Sequence, residues 1–90
     1  MAFLDREHGL EYLGLLDKVW AARKWLEDNR MTEQEQDFWD AAQHFKAIGI
    51  GRRWDEMDDA LKTLFDSYFA VQRSREPSKA KEWLQSEGVI

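Results

Sequence analysis

Cysteine is absent from this 90-residue chain. That excludes disulfides, thiolate nucleophiles and thiolate metal sites, and sets the chain apart from small secreted domains held by cross-links. Proline occurs once and glycine five times, so few positions interrupt a regular backbone. No stretch approaches the roughly 18 uninterrupted apolar residues of a membrane-spanning helix. Met1 to Arg6 lacks the basic start and apolar run of a secretory leader. A cytoplasmic location without membrane attachment is therefore expected. Positive charge is also in deficit: 13 basic against 18 acidic residues give a net charge of −5, which disfavours broad attraction to nucleic acid or anionic lipid.

What is present in quantity is apolar and aromatic side chain. The hydrophobic fraction is 43% and five residues are Trp, too much for a chain that stays disordered. Ninety residues enclose one core, so positions 1–90 are read as a single helical domain. Charge is distributed unevenly. Residues 1–45 hold five basic and ten acidic side chains and residues 46–90 hold eight of each, which assigns all the net negative charge to the first half.

Apolar residues recur at spacings of three and four, without strand-like alternation. The expected fold is all-α: an up-and-down bundle of three main helices over about 5–28, 32–48 and 53–75, with a short C-terminal helix over about 78–86. In the first helix Tyr12, Leu13, Leu16, Val19, Trp20 and Leu26 share one stripe, interrupted by Arg23, while Trp25 falls on the polar side. Thr32 and Glu35 have the spacing of a capping box. Phe38, Ala41, Ala42, Phe45 and Ile48 form the apolar face that follows, and Gly49 is placed just beyond the C-cap, where positive φ is needed. Met57, Leu61, Leu64, Tyr68 and Val71 make the third helix the expected centre of the bundle, flanked by Trp54, Ala60 and Phe65. Acidic residues crowd its start and Arg73 and Arg75 its end, complementing the helix dipole. Pro77 redirects the chain, and Gly88 closes the last helix.

No catalytic constellation emerges. Asp37, Asp40 and His44 share a flank of the second helix, but nothing nearby in sequence completes a metal ligand set. None of Ser67, Ser74, Ser78 and Ser86 sits in a nucleophile elbow. The expectation is a non-enzymatic chain that requires no cofactor and no metal.

Two surfaces are candidates for recognition. Trp25 and Trp39, off or at the edge of their core stripes, are read with Arg23 as partner-binding residues, because Trp and Arg concentrate at protein interfaces. Gly49, Gly51, Arg52 and Arg53 form the alternative: two glycines allow close backbone approach, and two arginines clamp a phosphate at the start of a helix. The segment Ala42 to Leu61 loosely resembles a helix-turn-helix, which implies a nucleic-acid binder with the helix after Gly51 in the major groove. It departs from that pattern at Phe45, where a small residue is usual. It departs again at Asp55, Glu56, Asp58 and Asp59, whose carboxylates oppose DNA phosphates. Arg73, Arg75, Lys79 and Lys81 make a further local basic patch.

These features favour an interaction module that docks on another protein through exposed aromatics and an acidic face, in the manner of a bacterial or phage accessory or inhibitor protein. Nucleic acid is disfavoured as a partner. A thin core with many tryptophans further points to a homo-oligomer, with a dimer favoured.

Overall fold

A computed structural model describes residues 6–90, except the side chains of Arg6, His8, Leu10 and Trp25. Five helices follow one another: α1 Arg6–Ala21, α2 Arg23–Asp28, α3 Glu33–Ile50, α4 Trp54–Arg73 and α5 Lys79–Ser86. The all-α architecture agrees with the apolar spacing, and there is no strand among the described residues. No helix among them is long and apolar enough to cross a membrane.

The expected first helix is divided. Ala22 lies in a turn between α1 and α2, where its N–H bonds the Val19 carbonyl three residues back. This shorter step changes the rotation per residue. Leu26 remains fully buried, but Arg23 leaves the apolar stripe on which uninterrupted 100° steps would place it.

α3 and α4 form the most extensive pairing, joined by the three residues 51–53. The capping box opens α3: the Thr32 N–H donates to Glu35 Oε1 at 2.8 Å, and the Glu35 N–H donates to Thr32 Oγ1 at 3.2 Å. Ala41 and Ala42 in the middle of α3 are both buried, and their small side chains let the helices approach. α3 runs two residues beyond the expected end. Gly49 lies within it, and the left-handed residue after the cap is Arg52, with φ 53°. The Arg53 N–H bonds the Ile48 carbonyl and the Arg52 N–H bonds that of Gly49. This is a Schellman closure with arginine at the position that usually carries glycine. α5 ends in the same way, with Gly88 at φ 75°, its N–H on the Gln85 carbonyl and the Val89 N–H on that of Leu84.

α1 packs on the α3–α4 pair through Tyr12, whose ring meets Phe38 and Tyr68 edge-on at 6.0 and 6.1 Å. Gly9 permits the close approach. A Cβ there would stand 3.0 Å from Leu61 Cδ1 and 3.1 Å from the Phe45 ring. Met57, Leu64, Tyr68 and Val71 of α4 are buried as expected, whereas Leu61 and Phe65 are only partly covered and Trp54 is 46% exposed. The core lies between α1 and the α3–α4 pair, and α5 adds Ala80 and Leu84 to it.

Candidate functional site

The residues proposed for recognition separate in the structure. Trp39 belongs to the core. It is 2% exposed, and its ring packs against Trp20 with centroids 4.3 Å apart. Lys46 lies over the Trp20 ring at 4.8 Å and also pairs with Asp17, so one end of α1 is fastened to α3 by an aromatic pair and a cation. The expectation of an exposed Trp39 is thereby corrected: its flank of α3 is the one that receives Trp20. Arg23 is at the surface, about half exposed, with its Nε 2.9 Å from Glu27 Oε1 one turn along α2. The Trp25 side chain lies outside the described residues.

The glycine–arginine segment forms the end of α3 and the start of α4. Gly49 is helical, and Gly51 is the C-cap of α3. Arg53 caps the start of α4 without a side-chain hydrogen bond, and its Nε is 3.2 Å from Glu56 Oε2. Asp55 and Glu56 stand in the first turn of this helix, where their negative charge complements the helix dipole as an anion would. The helix-turn-helix resemblance does not extend to geometry. α4 follows α3 after three residues and packs against it extensively, as in an αα-hairpin, whereas the two helices of the DNA-binding motif cross at about 90–120°.

The pairing of α3 with α4 creates a feature that sequence spacing only half showed. An open groove of about 540 Å³ runs between them, lined by Asp37, Asp40, Ala41 and His44 from α3 and by Thr63, Asp66, Ser67 and Ala70 from α4. The Asp37, Asp40 and His44 flank noted in sequence is thus one wall, and the structure adds Asp66 opposite. Among the described residues, no Lys or Arg lines the groove. Asp40 Oδ1 accepts a hydrogen bond from Gln36 Nε2 at 2.9 Å. The Thr63 and Ser67 hydroxyls are turned to the backbone carbonyls of Asp59 and Leu64, leaving the carboxylates and His44 to set the groove's polar character. α1 packs on other residues of the pair, namely Phe38, Phe45, Leu61 and Tyr68. Among the described residues, no group of three or more His, Asp or Glu side chains is arranged to hold a metal ion.

No known protein family, characterised protein or solved structure matches this chain. Its functional reading rests on geometry and charge.

Two further carboxylates lie on the same helices near the groove's residues. Glu33 precedes Asp37 by about one turn of α3, and Asp59 precedes Asp66 by about two turns of α4. Both are exposed. The basic patch spans the end of α4 and the start of α5. Arg73, Arg75 and Lys79 are exposed there, while Lys81 is engaged by its Nζ donating to the Ser74 carbonyl.

A further arrangement escaped sequence reading altogether. Glu35 is 1% exposed. Besides closing the capping box, its two carboxylate oxygens lie 2.8 and 3.0 Å from the hydroxyl of Ser78, which caps α5 by accepting the Lys81 N–H at 3.0 Å. The sequence marks Thr32 and Glu35 as a capping box, but carries no sign that Glu35 also holds the residue that caps α5.

Proposed function

We propose that this chain is a non-enzymatic interaction module, and that the outer face of the α3–α4 hairpin docks on a basic surface of another macromolecule. The observation that carries this reading is the groove that Asp37, Asp40 and Asp66 line from two helices beside the small side chains Ala41 and Ala70, with no Lys or Arg among the described residues in its lining. Such a groove offers Lys or Arg side chains of a partner paired carboxylates, and leaves their alkyl stems an apolar floor. Concentrated negative charge also steers encounter with a basic partner, an effect that salt suppresses.

The same charge opposes pairing of this face with its copy, because carboxylate would meet carboxylate. A homodimer, if formed, uses another surface.

The test is titration of a Lys/Arg-rich peptide into the wild-type chain and into a combined Asp37→Asn, Asp40→Asn, Asp66→Asn variant, at low and at physiological salt. Loss of three charge-assisted contacts predicts binding weaker by about tenfold or more, with a shallower salt dependence. A wild-type chain that does not bind the peptide, or a variant that binds it equally well, overturns the reading.

A further inference from the structure

We draw no further inference here: the strongest candidate, the partly exposed apolar stripe along one flank of α4 formed by Trp54, Leu61, Phe65 and Phe69, is a helix face for which nothing in the structure shows what covers it.

Discussion

The hydroxyl of Ser78 meets both carboxylate oxygens of Glu35, 43 residues earlier in the chain. One buried acid therefore serves the N-terminal caps of two helices, closing α3 through the Thr32 N–H and holding the residue that caps α5. Replacing Ser78 by Ala removes an N-cap and leaves a buried carboxylate short of a donor. The expected loss is about 1–3 kcal/mol of stability in urea unfolding. Glu35→Gln keeps the shape but sets an amide group against the Ser78 hydroxyl, and costs a similar amount. Because the two side chains act as a unit, the double variant is expected to lose distinctly less than the sum of the single losses. Strict additivity would show that the contact does not hold α5 in place.

Trp39 and Trp54 provide a second comparison, because the structure assigns them opposite roles. Truncating the buried Trp39 to Ala opens a large cavity beside Trp20, and about 3–5 kcal/mol of destabilisation is expected. Trp54→Ala, at a position 46% exposed, is expected to cost well under half that free energy. Equal losses at the two positions would contradict the burial pattern.

Stability should fall at alkaline pH. Burial raises the Tyr12 phenol well above its ordinary value near 10, with the neighbouring Tyr68 adding to the effect, and burial raises Tyr68 as well. The unfolded chain therefore releases these protons at a lower pH than the folded chain does. The stabilising difference is fully present below about pH 10 and is lost as pH climbs above it. Denaturant titrations from pH 8 to 11.5 should show this decline, and Tyr12→Phe should make it shallower.

Arg52 occupies the left-handed region at φ 53° and closes α3 through its backbone N–H. Glycine adopts that conformation without steric cost. Arg52→Gly is thus expected to stabilise the chain by about 0.5–1 kcal/mol, after allowance for the added freedom of the unfolded state. Gly51→Ala gains nothing comparable, because its Cβ would stand 3.3 Å from the Ala47 carbonyl oxygen. Thermal unfolding of both variants distinguishes these outcomes.

Like charges gathered around the groove should also be visible in the free protein. The triple Asn variant at Asp37, Asp40 and Asp66 should be slightly more stable than wild type at low ionic strength, by a few tenths of a kcal/mol. In 1 M salt, where the Debye length is about 3 Å, that difference should nearly vanish. A destabilised variant would mean that the carboxylates make structural contacts instead of facing solvent.

Amphipathic spacing made the helices legible before any coordinates, as did the local signals at their ends: the Thr32 and Glu35 box, the redirection at Pro77 and the closure at Gly88. Each depends on residues within a few positions of one another, a range over which backbone geometry dictates what side chains can meet. The same logic failed where one local irregularity was silent. Nothing in the composition around Ala22 announces a turn, yet that turn moved Arg23 from the core stripe to a surface pair with Glu27. At the other end of the hairpin two glycines competed for the helix stop, and the chain used neither as its left-handed residue.

What the sequence determined alone is therefore the helical class, most of the buried stripes and the presence of an acidic flank on α3. Tertiary structure decided which flank of each helix was covered. Trp39 and Asp40 are neighbours in the chain, one facing Trp20 inside and the other the open groove. Asp66 joined Asp37 and Asp40 only because α4 folds back along α3, and Glu35 found Ser78 only because α5 returns to the start of α3. Periodicity specifies an angle around one helix axis, whereas burial and charge clustering depend on how several axes are placed together.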